Sequence, residues 1–145
     1  MVAFKGGTAL EARLKELAAK VTKPANLSVG FLENSSYPDG TSVPMVAALA
    51  EFGTRKQPAR PFFRDMIADK SPQWGDAIAG LLKSNDYDAT KTMAQMGAGI
   101  DGQLKQSIAD FDRVPLSPKT IAAKGFDKQL IDSGVMIAST GFKVE

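Results

Sequence analysis

The chain has no cysteine and no histidine. The first absence excludes disulfides and thiolate nucleophiles, and the second removes imidazole acid–base chemistry. Together they exclude the Cys/His donor sets of tetrahedral zinc sites. Such a composition fits a protein made in a reducing cytoplasm. Long apolar runs are missing too: nothing approaches the ~18 consecutive apolar residues of a membrane span. Val2-Ala3-Phe4-Lys5-Gly6-Gly7 lacks the apolar centre of a signal peptide, so no membrane partner is expected. Charge of one sign is scarce as well. A net charge of +2 gives no global reason to bind nucleic acid. There is no internal repeat and no low-complexity segment.

What remains is ordinary globular material. Hydrophobic residues make up 43% and charged residues 23% of the chain, which argues against disorder. A chain of 145 residues is read as one domain, 1–145, able to bury a real core.

The periodicities predict mostly helices. Thr8-Ala9-Leu10-Glu11 has the form of a capping box, and Leu10, Leu14, Leu17 and Val21 follow at helical spacing. Lys23-Pro24 stops that helix. Leu27, Val29 and Phe31 alternate with Ser28 and Gly30, as in a strand over 27–32 with one buried face. Pro38-Asp39-Gly40 marks a turn. Pro44 opens a short helix, Met45 to Phe52, that is apolar nearly all round and must be covered, within the domain or by a subunit. A further helix is expected from Pro61 to about Lys70, and another starting at Ser71-Pro72 with Trp74, Ala77, Ile78, Leu81 and Leu82 on one face. The longest spans Ala89 to Asp112. Gly97, Gly99 and Gly102 lie inside it and imply a kink, a break or close backbone packing, since each costs about 0.8–1 kcal/mol relative to alanine. Ser117-Pro118 caps a short helix ending at Gly125, Asp132-Ser133 caps a last turn, and a strand closes the chain near 140–144. The fold class expected is α+β: a small antiparallel or mixed sheet covered by the N-terminal and long helices.

Three patterns that carry chemistry elsewhere are weak here. Gly97-Ala98-Gly99-Ile100-Asp101-Gly102 spells G-x-G-x-x-G, but a dinucleotide site needs a strand before it and a helix opening on the pyrophosphate. This stretch has helical periodicity on both sides, so packing glycines are the better reading. Asp86/Asp88 and Asp110/Asp112 are paired carboxylates at polar helix boundaries, where solvated acids are the rule. Asn26-Leu27-Ser28 and Asn34-Ser35-Ser36 match the glycosylation sequon without a secretion signal. No catalytic, cofactor-binding or metal-ligating residue is assigned, and none of these cofactors is expected.

The most informative stretch is Glu51-Phe52-Gly53-Thr54-Arg55-Lys56-Gln57-Pro58-Ala59-Arg60-Pro61-Phe62-Phe63-Arg64. Gly53 ends one helix, Pro61 opens the next, and four cations sit beside large aromatics with one carboxylate that lacks a sequence partner. Arginines beside aromatics favour protein interfaces, because a guanidinium pairs with carboxylates and stacks on rings. The candidate interface residues are Phe52, Arg55, Lys56, Arg60, Phe62, Phe63 and Arg64. Phe62 and Phe63 point apart on a helix, so one belongs to the core and the other is free for an interface. A solvated loop, or contact of Arg55, Lys56 and Arg60 with phosphates, are the competing readings.

An E-F-G-T, a short loop and P-A-R-P-F-F resemble the tail-completion and neck proteins of tailed bacteriophages. A second block resembles the same group: Pro115-Leu116-Ser117-Pro118-Lys119-Thr120-Ile121-Ala122-Ala123-Lys124-Gly125, then Leu130-Ile131-Asp132-Ser133-Gly134. The family pattern runs P-L-S-x-x-T-x-x-x-K, then L-I-D-T-G-x-L-x-x-S-I; here Ser133 stands for the usual Thr and Met136 takes the Leu position. The resemblance implies a structural virion protein assembled in the host cytoplasm, not an enzyme. It implies a homo-oligomeric ring, sixfold like the tails such proteins sit on, at the head-proximal end of the tail. Tail-tube and head–tail connector proteins would be its partners, with a passing contact to DNA. The alternative is a small nucleic-acid-binding module using the basic 55–64 loop.

Overall fold

The computed structural model describes residues 6–23, 25–125 and 134–145. Among these it contains six helices and one two-stranded sheet, in the order α1 (Gly7–Val21), β1 (Leu27–Phe31), α2 (Val43–Phe52), α3 (Phe62–Ser84), α4 (Ala89–Asp110), α5 (Pro118–Lys124), α6 (Val135–Ala138) and β2 (Thr140–Val144). The fold is α+β. β1 and β2 pair antiparallel, with Val29 opposite Phe142 and Phe31 opposite Thr140.

Helix α4 is the centre. Met96, Ile100, Leu104 and Ile108 recur at four-residue spacing and are all buried. The sheet lies across this stripe, and the contact explains one glycine. A Cβ on Gly97 would sit 2.4 Å from Cδ2 of Phe142 and 2.8 Å from Cδ1 of Leu27. Gly99 and Gly102 meet open space, and the helix runs unbroken through all three. The G-x-G-x-x-G spelling therefore lies within a helix and not at a strand–helix junction.

Helix α3 runs beside α4, joined by a turn in which Asp86 and Tyr87 both take positive φ, 50° and 61°. Asp88 caps α4 by accepting from the Lys91 N–H at 3.0 Å. Trp74 Nε1–H donates to Gln103 Oε1 at 2.9 Å and fixes the middle of the pair. At the other end Ser107 Oγ donates to the Phe62 carbonyl at 2.6 Å. Phe62 meets Phe31 edge-on, ring centroids 6.2 Å apart, and is 1% exposed.

Three expectations are corrected. The segment 62–84 is one helix, with Pro72 inside it; the lost N–H bond is tolerated on an exposed position of a helix anchored at both ends. Helix α1 starts at Gly7 after a left-handed Gly6, with no side-chain cap, so the Thr8–Glu11 box is not formed. Helix α1 buries none of its residues and does not cover the sheet; α4 does, with Phe62 of α3 packed against Phe31. The apolar helix α2 buries only Val43, Ala47 and Glu51. The Asp132-Ser133 cap and the Leu130–Ser133 part of the second block lie outside the described residues.

Candidate functional site: the corner between α2 and α3

Ser42 caps α2, and Pro44 occupies its first turn. The helix stops at Gly53, whose φ of +75° L side chains rarely adopt. A Cβ there would also lie 2.7 Å from the Ala59 nitrogen, so conformation and space both demand glycine. Thr54 Oγ1 then accepts from the N–H groups of Lys56 (3.2 Å) and Gln57 (3.1 Å). The Arg60 N–H returns to the Ala50 carbonyl at 2.7 Å. The loop is a closed, self-bonded turn.

Glu51 corrects the sequence reading most sharply. It is 6% exposed and is the opposite of unpartnered. Its carboxylate accepts from the Phe63 N–H at 3.0 Å, the Arg64 N–H at 3.2 Å and Arg64 Nε at 2.7 Å. Arg64 also donates to the Glu51 carbonyl at 3.1 Å. Pro61, at the cap position of α3, supplies no capping group. A carboxylate from the preceding helix therefore satisfies the free N–H groups at the start of α3, where the helix dipole favours negative charge. The sequence signal was available: a proline-started helix without its own cap, and an acid one loop upstream.

The candidate residues divide into groups. Phe62 is core and leaves the interface set. Phe63 is half-buried, and Phe52 is 68% exposed with the Arg64 guanidinium 5.0 Å from its ring centroid. These three border an apolar recess of about 270 Å³, floored by Phe31, Ala47 and Phe62. Arg55 and Lys56 are exposed at the loop tip. Arg60 faces away from the recess into a second groove, of about 750 Å³, and its Nε has no hydrogen-bond partner among the described residues. That groove is lined by Lys56, Gln57, Pro58 and Arg60 on one side and by Pro115, Leu116, Ser117 and Thr120 on another. The two sequence blocks thus meet across one groove. Ser117 accepts from the Thr120 N–H at 3.2 Å and starts α5, which ends on a left-handed Gly125.

The candidate interface set left out Met45 and Leu49, which lie on the helix expected to need cover and with Phe52 form the open face of α2, 59%, 43% and 68% exposed. Among the described residues no group of three or more His, Cys, Asp or Glu side chains is placed to hold a metal ion, and no helix is long and apolar enough to cross a membrane. Asp86, read as a solvated acid, is 56% exposed and also receives Arg13 and Lys20. Comparison with family models, curated proteins and solved structures found no match.

Proposed function

We propose that this chain is a structural component of a phage virion, a tail-completion or neck protein that acts as a ring at the head-proximal end of the tail. The observation that carries the reading is the meeting of the two family-like blocks across one groove. Residues 56–60 and 115–120 are far apart in sequence, yet each resembles the same group and each lines the same surface. The corner is also built for docking. Glu51 and Arg64 hold the start of α3 rigidly, so Phe52, Arg55 and Lys56 are displayed without a large ordering cost on binding. Heterologous contacts between identical copies close a ring when the rotation closes. Its two faces then meet tail tube and connector.

The test is made in lysates of a phage that depends on this chain. Arg55→Ala with Lys56→Ala should leave folding intact, since exposed changes usually fall within about ±0.5 kcal/mol. Filled heads and unattached tails are the expected phenotype. Normal particles, together with a loss of salt-dependent DNA affinity in the purified protein, would favour the nucleic-acid-binding module instead.

A further inference from the structure

Helix α1 is amphipathic, 15 residues long, and buries nothing. Leu10, Leu14, Leu17 and Val21 follow a four–three–four spacing, the d-a-d-a seam of two heptads. Leu17 is half-buried, while Leu10, Leu14 and Val21 are 61%, 57% and 47% exposed. Isolated helices of this length are marginal in water, so a partner for the seam is expected. Among the described residues the other open apolar helix stripe is Met45, Leu49 and Phe52 on α2, with matching four–three spacing.

We propose that the α1 seam of one copy docks on the α2 stripe of a second copy of this chain, head to tail. This rests on the reading of the protein as a self-assembling ring. Position within the fold is the first argument. Asp86 holds α1 just past one end of α3, through Arg13 at 2.5 Å and Lys20 at 2.7 Å. α2 is pinned at the other end by Glu51 and Arg64. A helix of 23 residues is about 34 Å long at ~1.5 Å per residue. The two stripes therefore sit at opposite ends of one protomer, which suits a heterologous contact and not an internal one.

Charge is the second argument. Arg13 and Lys20 flank the seam on one side, and antiparallel pairing of α1 with its copy would set these cations against each other. Pairing of α2 with its copy would oppose the rims formed by Arg55, Lys56 and Arg64. Crossing the two stripes avoids both like pairings and brings Glu11, which lies 3.1 Å from Lys15 on the flank of the seam away from Asp86, within reach of that cationic rim as a second partner. Each stripe offers only three or four apolar side chains, against the roughly 20–30 residues a side of a standard stable interface. Contacts are therefore weak singly and strengthen when each copy uses both ends in a closed ring.

The absence of native cysteine makes single-cysteine cross-linking clean. Full-length Leu14→Cys and Leu49→Cys are mixed at high protein concentration under mild oxidation. The mixed disulfide should dominate over either homodimer, and the double variant should give a ladder of covalent oligomers. Ala19→Cys, on the rear of α1, should give no mixed product, and Leu14→Glu should abolish the ladder while leaving the circular dichroism spectrum unchanged. Homodimers of Leu14→Cys in excess would overturn the crossed pairing, although the chain would still self-associate. Absence of any specific cross-link would overturn it too. In that case ring-shaped particles of the wild-type protein on tail ends would leave the ring reading standing, and their absence would remove both.

Discussion

Replacing Glu51 with alanine should cost more stability than removing the arginine that pairs with it. The carboxylate is 6% exposed and serves two backbone N–H groups as well as Arg64 Nε. Loss of a helix cap costs about 1 kcal/mol, and leaving a poorly solvated donor unpaired costs about 1–3 kcal/mol. A total of about 3 kcal/mol is expected for Glu51→Ala, which lowers Tm by about 10 °C in a domain of this size. Arg64 is different. Its side chain is 57% exposed, and an exposed pair contributes about 0.2–1 kcal/mol. Its position over Phe52 adds about 0.5–1 kcal/mol. Arg64→Ala should therefore cost about 1 kcal/mol, and Glu51→Ala should still cost most of its full amount in the Arg64→Ala background. Urea denaturation of the four proteins of this double-mutant cycle measures all three quantities. If Glu51→Ala is no worse than Arg64→Ala, the carboxylate is not the cap of α3 and the rigid corner has no basis.

The glycines of α4 should separate by thermal melting. Gly97→Ala should destabilise the protein, because its Cβ would meet Phe142 and Leu27, whereas Gly99→Ala and Gly102→Ala should each stabilise it by up to about 1 kcal/mol. Low pH should release α1 before the core. The Asp86 carboxyl is held below its ordinary range by hydrogen bonds from Lys20 and then Arg13, and Glu16 by Arg13 and then Lys20. Carboxylates depressed in the folded state contribute stability above the ordinary carboxylate pKa and lose it as pH falls through the depressed value. Hydrogen exchange should therefore show α1 opening below that range, at a pH where α4 stays protected. Simultaneous loss of both would contradict the tether. Pro72→Ala should raise Tm by restoring a helix-interior hydrogen bond in α3.

The elements with a period were legible and the partners were not. β2 over 140–144, the start of α4 at Ala89 and the Ser117 cap were readable because alternation and cap chemistry are local. Ser71-Pro72 misled because the same dipeptide that starts a helix can be carried inside one whose ends are fixed by tertiary contacts. The seam on α1 was correctly periodic, but periodicity says that a face is apolar and not what covers it. Phe62 and Phe63 were known to diverge, and only the packing of Phe31 decided which is core. Glu51 was misread because its three donors lie 12 and 13 residues further on, across a loop, where the only hint was the proline-started helix without a cap of its own. The Pro115–Thr120 block gained meaning only when it appeared across a groove from Lys56 and Arg60.

The most direct test of the ring reading is electron microscopy of the purified protein mixed with phage tail tubes that lack it. The account predicts a ring of density at one end of each tube, absent with the Phe52→Ala, Arg55→Ala, Lys56→Ala triple variant although that variant remains folded. Bare tube ends with folded wild-type protein, at concentrations where other neck components bind, would contradict it.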